Sequence, residues 1–231
     1  MQKKVAIIQS NYIPWLGYFD IIADVDEFIL YDEVQYTKRD WRNRNKIKTH
    51  QGTQWLTVPV KTKGKYEQTI SETEILDNGW QAKHWNSLLS NYRQSEFRNE
   101  ILELLYDTYH KSHWTYLSNL NYSLLLNILQ YLEINTKISW SSDYKAEGER
   151  SQRLASIALQ AKATHYISGP AAKNYLKEDF FIQNNVIVEW FDYSNLGPYD
   201  QLWGNFVPNL SIIDALMNVG VKTRRLLPST K

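Results

Sequence analysis

The chain has 231 residues, of which 43% are hydrophobic and 22% are charged. This composition excludes an intrinsically disordered chain and a fibrous repeat, and the length suits one large domain. The net charge is only +1, so a polyanionic partner must be bound by a local patch rather than by a global field. Cysteine is absent, which excludes thiol nucleophiles, cysteine-ligated zinc and disulfides.

The apolar segments are too short for export or for membrane insertion. The first one, residues 5–8, meets polar residues after four positions, which is shorter than the apolar core of a signal peptide. The longest apolar region, residues 114–134, is interrupted by three asparagines and does not reach the length of a spanning helix. We therefore expect a cytoplasmic protein without membrane insertion.

The order of the predicted elements indicates an α/β fold. Apolar runs typical of strands occur at residues 5–8, 27–32, 54–60, 133–140, 164–167 and 186–190. Helical spacing of apolar residues occurs at 15–22 and 149–161, and throughout a lobe at about residues 80–132. Strands that alternate with helices predict a Rossmann-like parallel-sheet core, so we expect a single α/β domain over residues 1–231 with a helical lobe.

The segment after the first strand is the first candidate site. Its candidate ligand-binding residues are Gln9, Tyr12, Pro14, Trp15, Gly17 and Tyr18. In open α/β sheets, ligands bind beyond the carboxyl ends of the strands, and a helix N-terminus offers N–H groups to a phosphate. Gly17 would allow a ligand to approach the backbone closely. The alternative is an ordinary strand-to-helix turn whose aromatic side chains cover the end of the sheet.

A strongly cationic segment at residues 32–48 is the second candidate. It carries six lysines and arginines within residues 38–48, interleaved with aromatic and amide side chains. Arginine suits phosphate or carboxylate, and aromatic rings stack on bases or sugars. The alternative is a solvated basic hairpin. The candidate residues are Asp32, Gln35, Tyr36, Lys38, Arg39, Trp41, Arg42, Asn43 and Arg44.

Two shorter motifs complete the set of candidates. Ser168 and Gly169 follow a predicted strand, although a turn that needs glycine explains them equally well. Asn209 and Ser211 precede a predicted helix, where helix capping by Asn209 is the alternative. The common nucleotide-binding and hydrolase motifs do not occur, and the five histidines do not form a ligand pattern, so we expect no metal site.

These motifs together resemble the WbqC-like family, above all the block KRDWRNRN at residues 38–45 and the motifs around Pro14, Ser168 and Asn209. The resemblance implies a role in bacterial surface-polysaccharide (O-antigen, lipopolysaccharide) biosynthesis, with transfer of glycine or a similar acyl group to a nucleotide-linked amino sugar. The first motif also resembles the phosphate-binding loop of nucleotidylyltransferase-like (HUP) folds. In those folds the loop carries two histidines, and Trp15 and Tyr18 lie near the corresponding positions here. Neither can carry the charge of an imidazolium, so this resemblance concerns the fold rather than the chemistry.

An acyl transferase would need a phosphate grip, a stacking surface and a proton acceptor. We assign the grip to Arg39, Arg42 and Arg44, and the stacking to Tyr36 and Trp41. The candidate catalytic residues are Asp32 as proton acceptor, Arg42 and Lys38. The donor is either an ATP-derived acyl adenylate or an aminoacyl-tRNA, and no DNA partner is expected. The alternatives are a non-catalytic sugar-nucleotide-binding protein and a nucleotidyltransferase.

Overall fold

The structure is a computed structural model and describes residues 2–230. Five parallel strands form the central sheet in the order β5-β2-β1-β6-β7. Their bounds are β1 Lys4–Ile8, β2 Glu27–Leu30, β5 Lys137–Trp140, β6 His165–Ser168 and β7 Ile187–Trp190. Two further strands, β3 Arg44–Thr49 and β4 Gly52–Thr57, form a separate antiparallel hairpin.

Seven α-helices surround the sheet and the hairpin in the described part of the chain. They are α1 Leu16–Asp24, α2 Trp80–Asn91, α3 Arg98–Tyr106, α4 Leu117–Tyr131, α5 Ser151–Gln160, α6 Asp179–Ile182 and α7 Ile212–Val219. Helices α2 to α4 occupy the segment predicted as a helical lobe. Between residues 2 and 230, no helix has both the length and the apolar character needed to cross a membrane.

The strand order reverses direction at β1. From β1 the chain adds β2 and then β5 on one side, and later adds β6 and β7 on the other side. This is the strand order of the Rossmann fold, and its ligand crevice lies where the order reverses, beyond the carboxyl ends of the strands. The predicted Rossmann-like α/β fold is confirmed, and the crevice is expected between the ends of β1 and β6.

The two faces of the sheet are buried by different helices. On one face, Val5 and Ile7 of β1 pack in a cluster with Ala158 of α5 and Phe181 of α6. On the other face, Ala6 belongs to a larger cluster that also contains buried residues of α1, the hairpin, helices α2 to α4 and α7. Alternate residues of β1 therefore face opposite layers, as expected for a strand in the centre of a sheet.

The hairpin corrects one feature of the predicted topology. Residues 54–60 were expected to form a strand after the cationic segment, but β4 pairs only with β3, whose residues 44–49 belong largely to that segment, so the basic hairpin named as the alternative is present. Strand β3 has the sequence RNKIKT, and the alternating residues Asn45 and Ile47 are buried on its inward side. Because one of these two buried residues is an amide, the apolar pattern of a strand is weak here.

Candidate functional site

A cleft of about 790 Å³ lies at the reversal of strand order, beyond the ends of β1 and β6. Its walls come from the loop after β1, the cationic segment, the loop after β6 and the start of α5. Seven of the predicted site residues line it: Gln9, Trp15, Tyr18, Trp41, Arg42, Ser168 and Gly169. Three of the four candidate motifs therefore meet at one place in the fold.

Arg42 supplies a fixed positive charge to this cleft. One of its guanidinium nitrogens donates to Asn11 Oδ1, and Nη2 donates to Gln9 Oε1 at 3.2 Å. Within residues 2–230, the carboxylate that comes within 4 Å of it is that of Asp40, at 3.8 Å. Neutral amides therefore orient the guanidinium, and the longer contact to Asp40 compensates its charge only in part, which leaves positive charge for an anionic ligand.

The phenol of Tyr18 forms part of the cleft wall. It is buried and donates to the carbonyl of Gln9 at 2.9 Å. Burial raises the pKa of Tyr18 well above its ordinary value, and the charge of Asp32 adds to this, whereas Arg42 opposes it. Tyr18 is therefore a neutral phenol and cannot serve as a base at physiological pH.

Gly17 lies beneath the indole of Trp15. A Cβ atom added at Gly17 would stand 2.4 Å from a ring carbon of Trp15, so only glycine fits under this ring. The indole itself contacts Tyr193, with ring centroids 5.0 Å apart. The close approach expected of a ligand at Gly17 is thus made by Trp15.

A strained turn follows Asn11 in the loop after β1. Ile13 is fully buried and has φ of 38°, an unusual value for a β-branched residue. The buried side chain of Asn45 in β3 donates to the carbonyls of Ile13 at 2.8 Å and of Tyr12 at 3.3 Å. The hairpin therefore holds this loop in its conformation through a side-chain amide.

The ring of Tyr12 points away from the cleft into the helical layer. Its hydroxyl contacts Tyr109 Oη at 2.5 Å and His84 Nδ1 at 2.8 Å, and His84 Nε2 lies 3.2 Å from the carbonyl of Thr57. Because that carbonyl can only accept, Nε2 carries the proton and Nδ1 accepts from Tyr12. Burial lowers the pKa of His84 to about 4, although its bond to Thr57 opposes the shift. Tyr12 therefore anchors the loop.

Asp32 is buried behind the cleft and has both carboxylate oxygens engaged. Oδ1 accepts from the backbone N–H of Ser10 at 2.8 Å, and Oδ2 accepts from the hydroxyl of Ser118. Asp32 does not belong to the cleft lining. Its role as proton acceptor stays a prediction, and its contacts are those of a residue that positions the loop after β1.

The hairpin carries an exposed aromatic and cationic surface beside the cleft. The rings of Trp41 and Trp55 lie 5.6 Å apart, and both are about two-fifths exposed, at 43% and 40%. The guanidinium of Arg44 lies 4.1 Å from the Trp55 ring, and Lys46 Nζ lies 4.8 Å from it. We call Trp41, Arg44, Lys46 and Trp55 the hairpin surface.

Other predicted residues of the cationic segment lie outside the cleft. Lys38, Arg39 and Gln35 are exposed, and Gln35 donates to the carbonyl of Tyr66 at 3.0 Å. Tyr36 is buried, which raises its pKa to about 12 and leaves its ring closed to a stacking base. Asn43 is buried and donates to the carbonyl of Val58 at 2.8 Å, so it holds the hairpin.

A smaller cleft of about 260 Å³ adjoins the first one. Its lining residues are Asn11, Pro14, Trp15, Trp41, Asn45 and Asn209, of which Asn11, Trp15 and Trp41 also line the large cleft. Asn209 has φ of 56° and does not cap α7. Ser211 caps the helix instead, since its hydroxyl accepts from the N–H of Ile213 at 3.2 Å. Ser211 is fully buried and its N–H donates to Lys46 O at 2.9 Å.

The large cleft contains polar residues that the motif analysis missed. Arg150, Ser151, Tyr175, Lys177 and Tyr193 come from the start of α5 and from the segments that follow β6 and β7. Arg150 is the one of these residues that the sequence could have indicated, because it is a cation directly before a helix. In the structure its φ is 49°. Over residues 2–230, no three histidine, aspartate or glutamate side chains are grouped as metal ligands.

Comparison with known proteins gives one family and one relative of undetermined function. The chain is 51% identical to the uncharacterized protein Rv1507c of Mycobacterium tuberculosis over 220 residues, which is 95% of each chain. No solved structure matches the chain. The profile of the WbqC-like protein family matches residues 9–226, which include the loop after β1, the cationic segment and α7. The chain therefore belongs to the WbqC-like family.

Proposed function

We propose that the protein binds a nucleotide-linked amino sugar in the large cleft and transfers an acyl group, such as glycyl, to the amine of that sugar. The reaction would modify a precursor of a bacterial surface polysaccharide in the cytoplasm. One observation carries the binding step: Arg42, which is oriented by neutral amides and contacts a carboxylate only at 3.8 Å, lines a cleft at the strand-order reversal of a Rossmann-like sheet.

The dimensions and lining of the cleft suit such a ligand. Its volume of about 790 Å³ lies within the usual range for small-molecule sites. Arg42 can grip a phosphate, while Arg150 and Lys177 add two positive charges to the lining and Glu149 adds one negative charge. The rings of Trp15, Tyr175 and Tyr193 offer apolar faces against which a base or a sugar can stack.

The transfer step rests on the family resemblance and on what the chain would have to supply. A neutral amine must attack an activated carbonyl, and the resulting oxyanion must be stabilised. Donors for the oxyanion are available in the cleft, where Ser168 and the Arg42 guanidinium both line the wall. An ATP-derived acyl adenylate and an aminoacyl-tRNA are the two donors to be compared.

Calorimetry and mass spectrometry test the two steps separately. Uridine diphosphate should bind the wild type, and Arg42→Ala should weaken this binding by about 100-fold, since a charge-assisted bidentate contact is lost. Purified protein with a pool of nucleotide-linked amino sugars should add one glycyl unit with either glycine and ATP or glycyl-tRNA. Wild-type protein that binds no nucleotide diphosphate or nucleotide sugar would contradict the proposal.

A non-catalytic role is favoured by the position of Asp32. Because its two oxygens are engaged by Ser10 and Ser118, the carboxylate expected to accept the proton lies behind the cleft wall. A protein that only binds nucleotide sugars would be stabilised by them against heat and would give no glycylated product with any donor. This second function is distinguished from the first by the mass measurement alone.

A further inference from the structure

We infer that the small cleft is the acyl-donor site and that its donor is the aminoacylated 3′ end of an RNA, held along the hairpin surface. The inference rests on the proposed function and names the donor for it. It is carried by the walls that the two clefts share, by the size of the small cleft and by the charge at its edge.

The two clefts are separated by a shared wall rather than by a layer of protein. Asn11, Trp15 and Trp41 line both of them. A group bound in the small cleft therefore touches the same side chains as a sugar bound in the large cleft. Two substrates that react with each other must come within about 3.5 Å, which requires sites that adjoin each other as these clefts do.

The small cleft has room for the end of a donor but not for a whole cofactor. Its volume of about 260 Å³ is below the range of sites that enclose a drug-sized ligand. Its polar lining consists of the amides Asn11, Asn45 and Asn209, which suit the amine and the ester carbonyl of an aminoacyl group. The remainder of the donor must therefore lie outside the cleft, on the protein surface.

The surface at this edge fits a single-stranded nucleic acid. Trp41 lines the small cleft and also contacts Trp55, so exposed rings continue from the cleft onto the hairpin. Arg44 and Lys46 lie beside these rings. Stacking platforms interleaved with cations are how proteins hold single strands without sequence preference.

The cations of this surface are not neutralised by acids. Among residues 2–230, Lys38, Arg39, Arg44 and Lys46 have no carboxylate within 4 Å, whereas Lys61 and Lys65 pair with Glu74 at 2.6 and 2.5 Å. An acyl adenylate has a single phosphate and needs one cation. Two unneutralised cations beside the rings, Arg44 and Lys46, with Lys38 and Arg39 earlier in the same segment, suit a strand with several phosphates.

The reaction balances without a further reactant. The amine nitrogen of the sugar forms an amide bond to the aminoacyl carbonyl carbon, and the ester bond to the terminal ribose oxygen breaks. The amine loses one proton and the ribose hydroxyl gains one, so the RNA leaves deacylated. No nucleoside triphosphate is consumed in this step.

The experiment measures binding of a fluorescent single-stranded RNA that ends in cytidine-cytidine-adenosine, in a series of salt concentrations. Arg44→Ala with Lys46→Ala should weaken binding about 25-fold at about 0.1 M salt and lower the salt slope by about 1.4. Trp41→Ala should weaken it by about tenfold through lost stacking. The matched control, Lys61→Ala with Lys65→Ala, removes the same charge from ion-paired positions and should stay within about twofold of the wild type.

Several results would overturn the inference. One is a wild type that does not bind the RNA, and another is an equal loss of RNA affinity in the test and control variants. A third is binding of anionic phospholipid vesicles that the RNA does not displace. The affinity for uridine diphosphate checks that the variant with Arg44→Ala and Lys46→Ala is folded. If that affinity is lost, the milder variant with Arg44→Gln and Lys46→Gln is used in its place.

The donors separate failure of this inference from failure of the proposed function. If glycine and ATP yield glycylated sugar while glycyl-tRNA does not, the RNA donor is wrong and the acyl transfer stands. If neither donor yields product although the hairpin surface binds RNA, the acyl transfer is wrong and the donor-site assignment falls with it. Product from glycyl-tRNA that is lost in the Arg44 and Lys46 variant supports both.

Discussion

The side-chain amide of Asn45 donates to the carbonyl of Ile13 at 2.8 Å, and this bond joins the hairpin to the one turn of the cleft loop that has a strained β-branched residue. Ile13 is in a backbone conformation that is costly for its residue type, so the neighbouring contacts must hold it there. The cationic segment and the hairpin thus contribute to the site in two ways. Arg42 is a candidate contact for a phosphate, and Asn45 supports the loop after β1.

Asn45→Ala should destabilise the protein by about 1–3 kcal/mol, because two buried carbonyls lose their donor. It should also weaken uridine diphosphate binding, since the loop that places Gln9 and Asn11 against Arg42 loses its support. Urea unfolding and calorimetry check the two effects. The exposed Asn99→Ala serves as control and should change stability by no more than about 0.5 kcal/mol. A stable Asn45→Ala variant with full affinity would show that the turn holds itself.

Gly17→Ala should lower the melting temperature, although alanine in a helix normally stabilises it. The added Cβ would stand 2.4 Å from the Trp15 ring, so the indole must leave its position in the wall shared by the two clefts. Tryptophan fluorescence and thermal unfolding detect this change. Gly197→Ala is the matched control, because nothing lies within 4 Å of its Cβ position. Equal melting temperatures for the two variants would contradict the prediction.

The buried imidazole of His84 should make stability depend on pH between about 6.5 and 4. Its pKa is near 6.5 in the unfolded chain and about 4 in the fold, so the unfolded chain takes up a proton first as the pH falls. His84 therefore costs no stability above pH 6.5 and up to about 3 kcal/mol towards pH 4. Urea unfolding of the wild type and of His84→Gln, compared across this window, isolates the effect from the carboxylates. Parallel pH curves for the two proteins would contradict it.

Asp32→Asn should leave turnover within about tenfold of the wild type. A general base contributes about 100-fold or more, whereas a buried residue that accepts from Ser10 and Ser118 contributes through loop position. Ser118→Ala removes one of the same contacts and should have an effect of similar size. Rates of glycyl transfer and uridine diphosphate affinities measure both variants. A loss of turnover above 100-fold with unchanged affinity would instead support the predicted role of Asp32 as proton acceptor.

The sheet was predictable because its strands are short apolar runs followed by helices, as in residues 5–8 before α1. Strand β3 was not, because its inward side uses the amide of Asn45 next to Ile47, and burial of a hydrogen-bonded amide leaves no apolar pattern. The sequence also did not distinguish Ser211 from Asn209 as the N-cap of α7, since serine and asparagine both favour the N-cap position.

The cleft was predictable where its residues form one continuous motif. Arg42 and Trp41 could be identified from a dense basic and aromatic block, and Gln9 from its place after the first strand. Arg150 and Lys177 were missed because each is a single cation in an otherwise ordinary segment, and only the folding of the chain brings them to β1. Tyr36, in contrast, was assigned to stacking because it lies inside the cationic segment, but its ring is buried.

The central position of β1 has a consequence for synthesis of the chain. Strand β2 pairs with one edge of β1 soon after β1 is made, but the other edge pairs only with β6, which ends at Ser168. Until then, an apolar strand keeps an open edge, which is a hazard for aggregation on the ribosome. The same pairing brings the ends of β1 and β6 together, so the growing chain covers this open edge and joins two walls of the cleft in one folding event.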